Sequence, residues 1–165
     1  MTPATARRAP RPPLPQRGAR YRLIAPNSPT APGIVRDFLG TLLRATGHPG
    51  LVEDGRLCVS EVVTNAYCHT RSPLVRVDVR VNPKRVTVYV TDDDPASLPW
   101  RAHGEHTHGE HIPCAEHGRG LVLVEALAAR WGTRANGEPV PESKSVWFTL
   151  VSGTERVVPP FAPTH

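Results

Sequence analysis

Two neighbouring segments in the middle of the chain alternate apolar and polar residues, and this alternation restricts the possible folds more than any other feature of the sequence. The segments are Leu74–Val81 and Arg85–Thr91, and a period of two places successive side chains on opposite faces of a β-strand. Only the residues Asn82-Pro83-Lys84 separate the two segments. The sequence therefore predicts a β-hairpin.

Two helices are predicted before this hairpin. The first extends from Pro29 to about Thr46, is capped by Ser28 and has apolar residues at helical spacing: Ile34, Val35, Phe38, Leu42 and Leu43. The residues Gly47-His48-Pro49-Gly50 end it. The second helix extends from about Leu51 to Thr70, with a predicted buried face formed by Leu57, Cys58, Val62 and Ala66.

The remaining segments complete the order of elements. Tyr21–Ile24 predicts a short first strand, and Leu121–Ala129 predicts a third helix. Trp131–Ala135 and Ser145–Val151 predict a second hairpin. The order β-α-α-β-β-loop-α-β-β predicts an α+β fold, a two-layer α/β sandwich in which helices cover one face of a mixed sheet.

The positive charge of the chain is concentrated at its N-terminus. The formal net charge is +5, which by itself suggests a nucleic-acid-binding protein. The first 20 residues contain five arginines and no acidic residue: Arg7, Arg8, Arg11, Arg17 and Arg20. Without these five, 15 of the 20 basic residues remain, equal to the 15 acidic residues. The body is therefore neutral, and we expect no specific nucleic-acid binding.

The N-terminal segment is also rich in proline and can bury little apolar surface. We predict a disordered or polyproline-like tail at residues 1–20, one folded domain at 21–152 and a C-terminal tail at 153–165. No apolar stretch is long enough for a secretory signal or a membrane span, which predicts a soluble cytoplasmic protein. The three cysteines have no spacing typical of a disulfide framework.

Glu61 and Asn65 are the first candidate site residues. They are four residues apart in the predicted second helix, so their side chains stand one above the other. Together they offer a carboxylate and a neutral oxygen ligand, which suit Mg²⁺. The alternative is a solvated helix face with an ordinary polar pair, and the spacing alone does not decide between the two.

An acidic run ends the second strand of the hairpin: Asp92, Asp93 and Asp94, followed by Pro95. Adjacent carboxylates repel each other, so they are not expected to be there for stability. A buried carboxylate at this strand end could accept a hydrogen bond from an exocyclic amine, which adenine offers and guanine lacks at the equivalent edge. The alternative is an ordinary Asp-Pro turn.

The third candidate is the motif Gly118-Arg119-Gly120-Leu121, which opens the third predicted helix. Glycines at a helix start let backbone N–H groups approach a phosphate, and the helix dipole favours the negative charge. The alternative is a flexible junction between loop and helix.

These three features, in this order along the chain, identify a protein family more specifically than any one of them does. In this order the chain resembles the Bergerat-type, histidine-kinase-like ATPases over about residues 20–152, and most closely their anti-sigma-factor serine/threonine kinase branch. Glu61–His69 is similar to the N box of that superfamily, Val88–Pro95 to its first glycine box and Gly118–Val124 to its second. Lys144–Phe148 is similar to the last strand of the branch.

The resemblance implies that the protein binds ATP with Mg²⁺. Asn65 would bind the magnesium ion, Glu61 would orient or deprotonate the acceptor hydroxyl, and Asp92 would select adenine. The glycines of the second box would hold the phosphates and hinge the lid, and its residues are Gly118, Arg119, Gly120 and Leu121. Ser145 would correspond to a hydroxyl near the adenine.

The resemblance also implies a partner and a reaction. The protein would transfer the γ-phosphate of ATP to a serine or threonine of an anti-anti-sigma (STAS-like) partner, control a sigma factor and form a homodimer. The chain departs from the family pattern Asp-x-Gly-x-Gly, because it has Asp92-Asp93-Asp94-Pro95-Ala96 without either glycine. The alternative function is therefore a weakly active or inactive ATP-binding module that sequesters a regulatory partner.

Residues 93–117 have no helical or strand periodicity, and a segment of this length is typical of a functional lid or of disorder. It contains a cluster of metal-binding residue types: His103, His106, His108, His111, Cys114 and His117. These side chains are ligands for zinc, nickel or copper. Their spacing is not a known motif, so the alternative is a solvated lid whose histidines titrate near neutral pH.

Overall fold

The computed structural model of the chain describes residues 18–96 and 120–153. Within these residues there are five strands and three α-helices. They are β1 (Ala19–Pro26), α1 (Ala31–Ala45), α2 (Val52–His69), β2 (Leu74–Val81), β3 (Arg85–Asp92), α3 (Gly120–Leu127), β4 (Arg130–Asn136) and β5 (Ser143–Val151). A short 3₁₀ turn, Pro49–Leu51, precedes α2. The order of elements confirms the predicted α+β fold, and none of these helices is long and apolar enough to cross a membrane.

The five strands form one sheet in the order β1-β2-β3-β5-β4. Every neighbouring pair is antiparallel, so the prediction of a mixed sheet was wrong. The reason lies in the connections. Between β1 and β2 the chain forms two helices that pack against each other, which return it to the end of β1, where Pro26 pairs with Leu74. β5 then pairs with both β3 and β4, which places it between them.

The helices cover one face of the sheet, and the hydrophobic core lies between the two layers. The sheet contributes alternate residues of its central strands: Val75, Val77, Val79, Val86, Val88, Val90, Phe148 and Leu150. Gly55 of α2 permits a close approach of the layers. A Cβ atom there would lie 2.9 Å from Leu43 Cδ1 and 3.2 Å from Leu150 Cδ1.

Two details of the predicted helices were wrong. Thr30 rather than Ser28 precedes the first turn of α1, and the two hydroxyls are hydrogen-bonded to each other at 3.0 Å. Leu57 was assigned to a buried face but is 48% exposed, and Ile34 of the apolar series in α1 is 53% exposed. Leu57 is two residues from the buried Val59, which places it about 200° around the helix and away from the sheet.

The other face of the sheet is covered by none of the described helices, and we call it the open face. Strand alternation places hydroxyl and aromatic side chains of β3 and β5 on it, such as Thr87, Tyr89 and Trp147. Seven arginines from the strands alternate onto the same face: Arg20, Arg22, Arg76, Arg80, Arg85, Arg130 and Arg134. The two faces of the sheet therefore differ completely in chemistry.

Candidate functional site

Glu61 and Asn65 lie on the partly exposed side of α2. Their neighbours Val62 and Ala66 are buried against the core, which turns the two polar side chains outward. Neither side chain makes a hydrogen bond or an ion pair within residues 18–96 and 120–153. Their oxygens therefore remain available, and hard oxygen donors of this kind suit a magnesium ion that carries phosphate oxygens and water. The residues present thus fit the predicted role.

α3 packs against α2, so Gly120 and Leu121 of the second glycine motif belong to a helix that contacts the helix carrying Glu61 and Asn65. The helix begins at Gly120, the first residue that the structure describes after Ala96. Leu121 is buried, at 5% exposure, and Val124 of the same helix belongs to the hydrophobic core. Gly118 and Arg119 lie outside the described residues, and so do all six members of the histidine and cysteine cluster between His103 and His117.

Asp92 lies at the end of β3 on the helix-covered face and is only 3% exposed. Its register partner on β5 is Lys144, and Lys144 Nζ donates a hydrogen bond of 2.8 Å to Asp92 Oδ1. The same oxygen accepts a bond of 3.0 Å from the backbone N–H of Asp94. Lys144 Nζ also donates to the carbonyl oxygen of Asp94 at 2.7 Å. Asp92 is thus buried and also holds the turn that follows β3.

The environment of Asp92 shifts the pKa of its carboxyl. Burial raises the pKa of this carboxyl above its usual range, because a charged group loses solvation there. The hydrogen bonds from Lys144 and from the Asp94 N–H oppose this shift without cancelling it. Asp92 Oδ2 accepts no hydrogen bond from the described residues. The site therefore combines one satisfied carboxylate oxygen with one oxygen that can accept a bond from a ligand.

Ser145 was predicted to lie near the adenine with Asp92, but the structure places it on the open face. Its hydroxyl is hydrogen-bonded to that of Thr91 at 2.7 Å and accepts a bond from Asn136 Nδ2 at 3.0 Å. Successive residues of a strand point to opposite faces, so it is Lys144 that reaches Asp92. Sequence reasoning missed Lys144, although a lysine is rare in this chain, which has only two lysines against 18 arginines.

The described cysteines differ in state. Cys58 is free and fully buried in α2. Burial, reinforced by the carboxylates of Asp54 and Glu61, raises its pKa to about 12, so the thiol is not a nucleophile at neutral pH. Cys68 is disulfide-bonded, which the spacing of the cysteines did not predict.

A family model described as "Histidine kinase-like ATPase domain" matches residues 25–149. This span contains α2, β3 and α3 and most of β5. The chain belongs to the histidine kinase-like ATPase family. It is an ATP-binding domain of the fold predicted from the order of its motifs. No curated protein matches the chain.

The matched span of this ATPase domain includes Glu61, Asn65, Asp92 and Lys144. The structure places Asp92 and Lys144 on the face of the sheet that α2 covers. The first 20 residues, with their five arginines, precede the matched span.

Proposed function

We propose that the protein is a serine/threonine kinase of the anti-sigma-factor branch. It would transfer the γ-phosphate of ATP to a serine or threonine of an anti-anti-sigma (STAS-like) partner and thereby control a sigma factor. The observation that carries this proposal is the pair Glu61 and Asn65, which share the partly exposed side of α2 and have no partner in the described part of the chain. Polar groups that the fold itself leaves unpaired are available for a ligand.

The chemistry of phosphoryl transfer suits this pair. The transfer depends mainly on positioning and on charge stabilisation, so it needs few protein groups. Asn65 supplies an oxygen ligand for Mg²⁺, which, when bound with ATP, neutralises the charge that develops on the phosphates. Glu61 supplies a carboxylate that can orient the acceptor hydroxyl and accept its proton.

Asp92 and Lys144 support the choice of adenine. Asp92 Oδ2 is an acceptor for the exocyclic amine, and its partner oxygen is held by Lys144 Nζ at 2.8 Å. A carboxylate fixed in this way cannot rotate freely to suit another base. Guanine would present a carbonyl oxygen to Oδ2, and two acceptors facing each other without a proton are unfavourable.

A second candidate function is the sequestering module without appreciable turnover. The observation that favours it is the turn at Asp94, where the family pattern has a glycine. Both backbone groups of Asp94 are held, its N–H by Asp92 and its carbonyl by Lys144. A turn fixed on both sides offers less movement to a lid than a glycine would.

Transfer of radiolabel from ATP to anti-anti-sigma proteins of the source organism tests the kinase proposal. Glu61→Gln should leave ATP binding close to that of the wild type and reduce transfer by about 10²–10⁴. Asn65→Ala should impair binding and transfer together. Glu53→Gln, an exposed glutamate of the same helix, is the matched control and should change neither. A wild-type protein that binds ATP but labels none of these partners would favour the sequestering module.

A further inference from the structure

The open face carries a strong imbalance of charge. Seven arginines of the strands point to it, whereas Asp78 is the one acidic residue that the strands place there. Residues 18–96 and 120–153 together contain 13 basic and 11 acidic residues, so this imbalance reflects a separation of charge between the two sides of the domain. Concentrated like charges repel one another and do not stabilise a fold. A function that uses the positive potential explains such an arrangement better than stability does.

Five of these arginines line a groove on the open face, which we call the arginine groove. It encloses about 400 Å³ and is lined by Arg20, Arg22, Arg76, Arg80 and Arg134. Its floor includes the hydrogen-bonded hydroxyls of Thr91 and Ser145, together with Asn136 and Tyr89. The arginines approach from β1 and β2 on one side and from β4 on the other. A cavity of this volume is in the range that small-molecule ligands occupy.

Several arginine side chains are already held in place. Asp78 accepts a bond of 2.7 Å from Arg22 Nε and lies 3.5 Å from Arg76 Nε. The guanidinium of Arg80 lies 4.9 Å from the centre of the Tyr89 ring, which draws it over the sheet and towards the groove. A site that is ordered before its ligand arrives loses less entropy on binding.

The groove also has unused binding capacity. Within the described parts of the chain, no carboxylate lies within 4.0 Å of Arg20, Arg80 or Arg134. Arg76 Nε is buried and makes no hydrogen bond in the described structure, although it lies 3.5 Å from Asp78 Oδ2. Asp78 itself shows that an anion fits between arginines of adjacent strands. Three further guanidinium groups therefore converge on the groove without an anion.

We propose that the arginine groove binds a small phosphate-bearing anion with several negative charges, such as a polyphosphate group. Guanidinium groups donate paired hydrogen bonds that match the oxygens of a phosphate, and the groove supplies them from both sides. The site is separate from the ATP site, since the groove lies on the open face and Asp92 lies on the helix-covered face. A second copy of the chain is a poor occupant, because two open faces would bring arginines against arginines.

Inorganic tripolyphosphate, titrated into the full-length protein by calorimetry, is the probe. We expect saturable binding of one anion per chain. The double variant Arg80→Gln/Arg134→Gln should weaken it by about tenfold or more, because hydrogen bonds to charged groups are the strong ones. Arg7→Gln/Arg8→Gln removes the same charge from the N-terminal segment and is the matched control. It should leave the affinity within about twofold of the wild type, since neither arginine belongs to the strands that line the groove.

Four results would overturn the proposal. The first is that tripolyphosphate does not bind. The second is that both double variants weaken its binding equally, which would make the loss of affinity an effect of net charge. A short oligothymidylate binds through Arg80 and Arg134 while tripolyphosphate does not, which would assign the face to an extended nucleic acid. Finally, the wild type forms a dimer that Arg80→Gln/Arg134→Gln dissociates, which would make the open face a subunit interface. Binding of one anion per chain, with a loss of affinity in Arg80→Gln/Arg134→Gln and not in Arg7→Gln/Arg8→Gln, supports the small-anion site.

Discussion

The two faces of the single sheet are made by the same strands and have opposite character. On the helix-covered face, alternate valines pack against α1 and α2, and the apolar row of β3 ends in the buried pair Asp92 and Lys144. On the open face, the intervening residues are mostly arginine, threonine and aromatic side chains. The comparison separates two uses of charge. The covered face carries one buried ion pair, whereas the open face carries many charges, most of them exposed and without an ion-pair partner among the described residues.

Ion pairs on the two faces should differ most in their contribution to stability. Asp92→Ala leaves Lys144 buried at 4% exposure without its partner, and an unpaired buried charge costs about 3–5 kcal/mol. Asp78→Ala on the open face removes contacts with Arg22, whose side chain is 61% exposed, and should cost about 1 kcal/mol or less. Urea denaturation of both variants measures the free energy of unfolding. Equal losses would contradict the contrast between the two faces.

Nucleotide binding should depend on one face only. Asp92→Asn turns an acceptor into a group that can present an NH₂ to the adenine amine, and it should weaken ATP binding by about ten- to a hundredfold. Ser145→Ala should leave ATP affinity unchanged, because the Ser145 hydroxyl is bonded to Thr91 on the open face. Calorimetric titration with Mg-ATP compares the two variants. If Ser145→Ala loses as much ATP affinity as Asp92→Asn, our proposal places the adenine base on the wrong face of the sheet.

The two faces should differ by a smaller amount in how well they tolerate an added methyl group. At Gly55 an added Cβ would lie 2.9 Å from Leu43 in the core between the layers, so Gly55→Ala should destabilise the protein by about 1–3 kcal/mol through overpacking. At Gly132 the added Cβ would lie 3.2 Å from the ring of Trp147 on the open face. That ring is only partly buried and can move outward, so Gly132→Ala should cost less than about 1 kcal/mol. Thermal denaturation would detect a reversal of this order.

The helix-covered face was largely predictable from the sequence, because local patterns determine it. Alternation with a period of two predicts the β2–β3 hairpin, and the end of that alternation places Asp92 at a strand end. The helical spacing of Glu61 and Asn65 likewise depends only on neighbouring residues. The exposure of Leu57 was not predictable in this way, since an apolar residue is compatible with either side of a helix until the partner layer is known.

Long-range pairing explains what the sequence did not predict. The pair of Asp92 with Lys144 joins residues separated by 52 positions, and a shift of one residue in register would bring Ser145 to the covered face instead. The arginine groove was hidden for a related reason. A sum over the body gives equal numbers of acidic and basic residues, but such a sum does not show how the strands distribute them between two faces.

The smallest expected effect concerns a hydrogen bond between two side chains on the open face. The hydroxyls of Thr87 on β3 and Thr149 on β5 are 2.9 Å apart, and the residues are register partners. Each single Thr→Val change leaves one hydroxyl without its partner, but the pair is only partly buried and water can replace the lost bond. The double change removes both hydroxyls together and leaves none unsatisfied. A double-mutant cycle should therefore give a coupling energy of about 0.2–1 kcal/mol, as for other cross-strand pairs. A coupling above about 2 kcal/mol would mean that water does not reach this pair, and the open face at its centre would then be covered in solution rather than free to bind a ligand.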